Sequence, residues 1–310
     1  MRRNQMLQLA MGSFLAVATT FAASDAQSAP PREVTPNGPG IAGIYGSAPA
    51  TQQELLSTPD SIKSAAVGGA PTMIWETLEH GEKVECLDCI PLVAPLLYDA
   101  TSAKTREIAA WWLRRRPFGV FQAGLVYDQT LDTLATDSDP LRRSYAAAAL
   151  GEFLAAPGVP ACAQALTHDG DARVRAAAAS ALGRLNDDGA GALSAGMRDN
   201  DPSVKLAALG SAGLINSFSG IASVAGLTTD STVEVRRRAI EVLDGLNAKD
   251  TVAAVAAAAQ KDADAGVRAE ACHALGTFGD ASVRSILQNL SQNDSDQFVR
   301  DQALIALKRI

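Results

Sequence analysis

The run Asp171-Ala-Arg-Val174-Arg175-Ala-Ala-Ala178-Ala-Ser-Ala-Leu182-Gly183 decides how this chain is read, because it recurs. Asp264-Ala-Gly-Val267-Arg268-Ala-Glu-Ala271-Cys-His-Ala-Leu275-Gly276 repeats it almost position for position. Taking the basic residue as a marker extends the series to Arg106, Arg143, Arg175, Lys205, Arg236, Arg268 and Arg300, separated by 37, 32, 30, 31, 32 and 32 residues. Three residues after each marker stands alanine: Ala109, Ala146, Ala178, Ala208, Ala239, Ala271 and Ala303. Seven residues after it stands Leu113, Leu150, Leu182, Ala212, Leu243, Leu275 or Leu307, and most markers follow a valine. Offsets of −1, +3 and +7 fall on one stripe of a 3.6-residue helix. A fixed period of this length is the mark of a repeat array.

Ahead of the markers lies a second pattern. Six residues earlier stand Asp137, Asp169, Asp199, Asp230, Asp262 and Asp294; four residues earlier stand Asp139, Asp171, Asp201, Asp264 and Asp296. The nearer aspartate is a natural N-cap, and Pro140 and Pro202 follow it where proline suits a first helical turn. A shorter apolar segment precedes each of these helices, as in 252–259 and 283–290. Each unit is therefore expected to be a helical hairpin that buries its apolar stripe only by stacking on its neighbours.

These two runs resemble HEAT repeats of the phycobilisome-lyase-like kind, over roughly residues 86–310 and about seven units. The resemblance implies an all-α solenoid of an exported bacterial type whose second helices line the concave, binding side. It also implies a ladder between the aspartate and marker positions of adjacent units. The first unit departs from the pattern, with Ser102 and Thr105 at the aspartate and valine positions.

Composition agrees with an all-α chain. Hydrophobic residues reach 47 % while aromatics are only 5 %, which leaves little for sheets. A formal net charge of −7 argues against a general nucleic-acid binder, which needs surplus Lys and Arg. No later stretch is long and apolar enough to span a bilayer. The N-terminus differs: Arg2-Arg3, an apolar run over 6–23 and small residues near Ala26 and Ala29 read as a signal peptide over 1–29. Export to the periplasm or medium is expected, by the general secretory or the twin-arginine route. Residues 30–61, rich in Pro, Gly, Ser and Thr, read as a flexible lead-in. Residues 62–85 read as a helical cap with a helix starting near Pro71, and 86–310 as the solenoid.

Few residues suggest chemistry. Cys86 and Cys89 form a C-x-x-C, but Ile90 stands where haem attachment needs histidine. A structural disulfide, a redox pair, metal ligation and two free thiols all remain open for it. Cys162 and Cys272 fall on core positions three units apart, so both are expected to stay reduced. His168 reads as a turn residue and His273 as a surface one; Glu79-His80 reverses the His-Glu pairs of HEAT-like metal hydroxylases and occurs once. No metal, cofactor or catalytic set is expected. In the block Trp111-Trp112-Leu-Arg114-Arg115-Arg116, with Phe118 and Phe121, the aromatics either seal the array's N-terminal end or offer an interface anchor. Trp111, Tyr145, Arg237, Arg238, Glu270 and His273 are the positions expected to meet a protein partner. The favoured reading is a non-catalytic envelope scaffold; its rival is a redox or lyase-like accessory enzyme using Cys86 and Cys89.

Overall fold

The structure, a computed structural model, describes residues 58–116, 124–215 and 217–310. The expected signal peptide, nearly all of the expected lead-in, and Phe118 and Phe121 lie outside the described residues. Everything regular within them is helical. Helices α1 (Pro59–Gly68) and α2 (Pro71–His80) form a hairpin ahead of the array. The lead-in boundary at residue 61 needs correcting, because α1 begins at Pro59. Thr58 caps it in a reciprocal capping box with Ser61, and proline suits the first turn, so the helix starts as soon as the cap permits.

Seven hairpins follow. The first pairs α3 (Ile90–Val93), continued by a 3-10 turn over Ala94–Tyr98, with α4 (Ala103–Leu113). The next three pair α5 (Leu125–Thr136) with α6 (Pro140–Phe153), α7 (Gly158–His168) with α8 (Ala172–Arg184), and α9 (Ala192–Gly196) with α10 (Pro202–Ala212). The last three pair α11 (Ile221–Gly226) with α12 (Val233–Gly245), α13 (Val252–Lys261) with α14 (Ala265–Phe278), and α15 (Arg284–Asn293) with α16 (Gln297–Leu307). Asp139, Asp171, Asp201, Asp264 and Asp296 each cap a second helix by accepting a backbone N–H with the side chain. Thr232, at that position in the fifth unit, makes no such bond.

The stripe read from the repeat is the spine of the core. All seven alanines at +3 are fully buried, as are Val174, Val204, Val235, Val267 and Val299. Consecutive second helices lie side by side, and at Gly151, Gly183 and Gly276, all at +8, they come close. A Cβ on Gly151 would lie 2.9 Å from the Cα of Ala181, and one on Gly276 2.8 Å from the Cα of Ala306. The contact therefore runs backbone to backbone, and small residues set the spacing.

A ladder runs along the turns. Arg143, Arg175, Arg236 and Arg268 each donate Nε–H and Nη2–H to both carboxylate oxygens of the next unit's aspartate, at 2.6–2.9 Å. The same arginines reach back through Nη1 to a turn carbonyl of their own unit, at 2.9–3.0 Å. Each aspartate also accepts the N–H of the residue two further on, as Asp199 does from Asp201. Lys205 pairs with Asp230 through its single ammonium. The first rung is absent, which corrects the implied Arg106–Asp137 pair. Arg106 stacks on Tyr145 at 3.9 Å, and Asp137 instead accepts from Arg142 at 2.9 Å.

Candidate interaction surface on the second helices

With −1, +3 and +7 buried, a second helix presents its outer face chiefly at +1, +2, +5 and +9. In the third and fourth units the +1, +2 and +5 positions carry Ala176, Ala177, Ser180, Leu206, Ala207 and Gly210, half-buried or exposed and mostly without reach beyond a methyl group, with Arg184 and the exposed Leu214 at +9 along their edge. The result is a smooth strip across two units.

On one side the strip meets a charged patch. Arg237 and Arg238 project from α12 and are exposed. Arg238 pairs with Glu241 at 3.0 Å, and Arg237 lies 3.6 Å from Glu241 and 3.7 Å from Glu234. From α14, His273 Nε2 approaches Asp244 Oδ2 at 3.5 Å. Burial pushes the half-buried Glu270 carboxyl upward, and the nearby Glu241 carboxylate adds to the shift. On the other side stands Tyr145, half-buried under the Arg106 guanidinium. A shallow pocket of about 250 Å³ there is lined by Arg106, Glu107, Tyr145, Ala148, Glu152 and Arg184, among others. Arg184 of the third unit bridges back to Glu152 of the second, and Arg114 donates to the Glu152 carbonyl at 3.1 Å. Burial pushes the Glu152 carboxyl up.

Of the six positions expected to face a partner, Tyr145, Arg237, Arg238, Glu270 and His273 thus share the outer side of the second helices. Glu270 and His273 join Arg237 and Arg238 in one patch, and Tyr145 stands apart across the smooth strip. Trp111 belongs to a different arrangement. Arg115 covers its ring at 4.2 Å and pairs with Glu82 at 2.8 Å. Beside it Trp112 is fully buried and donates Nε1–H to the Gly81 carbonyl at 3.0 Å. Arg116 stacks on Trp112 at 3.9 Å and donates to the carbonyls of Gly81 and Glu82 at 3.0 and 2.6 Å. Burial pushes that guanidinium down to about 10. These side chains pin the first hairpin to the array.

Repeat reasoning missed Glu152, Arg184, Glu241 and Asp244. The signal was available, since Glu241 shares the +5 offset of His273, and Asp244, Glu152 and Arg184 follow about one turn later at +8 and +9.

Cys86 and Cys89 are joined by a disulfide in the turn that opens α3, with Cys86 7 % exposed and Cys89 fully covered. Cys162 and Cys272 are free and buried, and burial pushes both thiols up to about 12. His168 is exposed against the Thr167 hydroxyl at 2.7 Å, and His80 Nδ1 lies 2.7 Å from the Glu76 carbonyl. Among the described residues, no three His, Cys, Asp or Glu side chains are grouped to hold a metal ion, and no helix is long and apolar enough to cross a membrane.

Stacked helical hairpins joined by a shared spine and a turn ladder define an α-solenoid. The HEAT-repeat pattern matches residues 127–213 and 221–308, more than half of the chain, and the protein belongs to that family. No curated protein matches the sequence. Among solved structures, the Escherichia coli protein YibA is similar, with a TM-score of 0.53 and 16 % identity over 84 % of this chain and 96 % of that one. Kap95p, described as binding RanGDP, reaches 0.58 at 13 % identity over 83 % of this chain and 40 % of its own. The CpcE–CpcF complex of phycocyanin lyase from a Nostoc species gives 0.38 at 21 % identity over 71 % and 93 %. Identities this low establish the fold alone, and the last score carries no argument.

Proposed function

We propose that this protein is a non-catalytic scaffold that holds a protein partner on the outer side of its second helices. The observation that carries the reading is the smooth strip of the third and fourth units, framed by Tyr145 on one side and the Arg237–His273 patch on the other. A solenoid bends toward the layer whose helices pack more closely. Backbone contact at Gly151, Gly183 and Gly276 makes the second helices that layer, which supports a concave position for the strip. Concave solenoid surfaces take extended partners because each unit adds contact area in register with the next. Arginine and aromatic anchors beside a small-residue floor suit such binding. Kap95p, with its RanGDP partner, is one protein of this fold that binds another, which supports the reading by analogy.

The cell envelope or medium is the proposed location, on the strength of the N-terminal signal-like residues; N-terminal sequencing of the mature protein tests it. Burial of both Cys86 and Cys89 speaks against the rival redox or lyase-like role, since thiol exchange needs an accessible sulfur. Photo-crosslinkers placed at Tyr145, Ser180, Arg238 and His273, with Gln288 on a first helix as control, test the scaffold in living cells. One protein crosslinked from the four positions and not from the control is expected. Equal crosslinking from all five, or none from the four, overturns the reading.

A further inference from the structure

The first helices carry a feature that the scaffold reading does not use. Between α3 with its 3-10 continuation and α5 runs a groove of about 620 Å³, lined by Leu87, Ile90, Tyr98, Leu125, Gln129 and Arg142, among others. Leu87 and Leu125 stand 57 and 68 % exposed on its two walls. At the next two junctions between first helices the spaces are smaller, about 420 Å³ between α5 and α7 and about 310 Å³ between α7 and α9. Arg142 lies over the Tyr98 ring at 4.5 Å, and its charge is answered by Asp137. The groove is thus apolar, open and electrically quiet.

The described chain begins at the rim of this groove. The carbonyl oxygen of Pro59 lies 3.6 Å from Cys89 Sγ, and Cys89 stands between Leu87 and Ile90 of the wall. Upstream of Thr58, no charged residue stands between Glu33 and Glu54, and the most apolar run in that stretch is Ile41-Ala-Gly-Ile44-Tyr45. Residues 46–57 connect that run to the rim. A linker of that length spans ~20 Å root-mean-square and at most ~40 Å, enough to bring the run onto the groove. Tethering at such a distance gives an effective concentration on the order of millimolar, ahead of any dilute competitor.

We propose that residues 41–45 of this chain dock in the groove, their Ile and Tyr side chains covering Leu87 and Leu125. The groove lies on the opposite layer from the proposed partner surface, so either idea can fail without the other.

Alkylation of a Gln129→Cys thiol in the full chain tests the proposal, with Cys86–Cys89 left oxidised and the two buried thiols as internal slow references. Slow labelling is expected, independent of protein concentration and at least ~10-fold faster after Ile41→Asp with Ile44→Asp. Both substitutions lie outside the described fold, and an unchanged thermal transition of the array confirms that it is intact. Labelling that is fast in every form shows an open groove and overturns the proposal. Labelling that accelerates on dilution assigns the groove to a second copy instead, and overturns it too. Slow labelling indifferent to the two substitutions assigns it to some other cover, with the same consequence.

Discussion

The junction between the first two units and the junctions after it are built from the same helices but held differently. From the second unit to the seventh, each turn is fastened to the next by a guanidinium or ammonium on an aspartate with side chains mostly out of solvent. Arg236 and Asp262, for example, are 13 and 6 % exposed. At the first junction Arg106 has no such partner, and Asp137 is turned to Arg142, whose side chain is 46 % exposed. Hold there comes from stacking, Arg106 on Tyr145 and Arg142 on Tyr98, and from the bond of Arg114 to the Glu152 carbonyl, while Trp112 and Arg116 pin the leading hairpin to the first unit through the Gly81 carbonyl. Helix stacking tolerates the longer spacing of 37 residues, whereas a bidentate ion pair needs its partner at a fixed height. The apolar stripe therefore continues through a junction at which the polar ladder stops.

The largest expected effect strikes the N-terminal side of that comparison. Trp112→Ala removes a fully buried indole, its bond to Gly81 and the surface on which Arg116 stacks, at a cost of about 3–5 kcal/mol. Because a solenoid's stability is a sum of unit and nearest-neighbour terms, the loss should stay local. Hydrogen exchange should show α1 to α4 opening ahead of α6 to α16. A variant that melts as a single unit with the wild-type midpoint contradicts the pin.

Next comes the ladder itself. Asp262→Ala leaves the Arg236 guanidinium largely covered with no carboxylate, and costs about 2–3 kcal/mol. Asp137→Ala, at the stacked junction, removes a partner from the well-exposed Arg142 and the acceptor of the Asp139 N–H, and should cost clearly less. Equal losses in urea would erase the distinction between the two kinds of junction. Acid adds a second reading of the same contrast. Hydrogen bonds from Arg175, Arg236 and Arg268 hold the Asp199, Asp262 and Asp294 carboxyls below their ordinary value. A carboxyl lowered by folding stabilises fully above its unfolded value, about 3.9, and progressively less as pH falls through the folded one. Stability should therefore fall below about pH 4, and less steeply in Asp262→Ala.

How far the sequence foretells this follows from what repeats. Buried alanines and capping aspartates recur seven and five times, so periodicity alone locates them. A feature that occurs once leaves no period to detect. Trp112 as a pin on Gly81, the Glu152–Arg184 bridge and the missing first rung each depend on distances across the chain that only folding sets. The start of α1 lies in between: Thr58-Pro59 with Ser61 is a readable cap, masked by surroundings whose composition is that of a loop. The positions proposed to face a partner are legible as a helix face, yet offsets alone do not separate Trp111, half-covered by Arg115, from the exposed Arg237 and Arg238.

A last contrast comes from two glycines one step apart in the repeat. Gly183 stands at +8, where a Cβ would lie 2.5 Å from Ser211 Oγ and 2.8 Å from its Cα. The hydroxyl could rotate away, but the backbone cannot, so Gly183→Ala must spread α8 from α10 at a cost of about 1–3 kcal/mol. Gly245 stands at +9, a turn of roughly 100° further round the helix, and a Cβ there meets nothing within 4 Å. Its backbone is ordinary helix, so Gly245→Ala removes unfolded-state freedom without a clash and should stabilise by about 0.5–1 kcal/mol. Opposite signs in thermal denaturation are expected from the same substitution. Should Gly183→Ala also stabilise, α8 and α10 are not in backbone contact at Gly183, and the packing argument for a concave position of the proposed strip loses its cause.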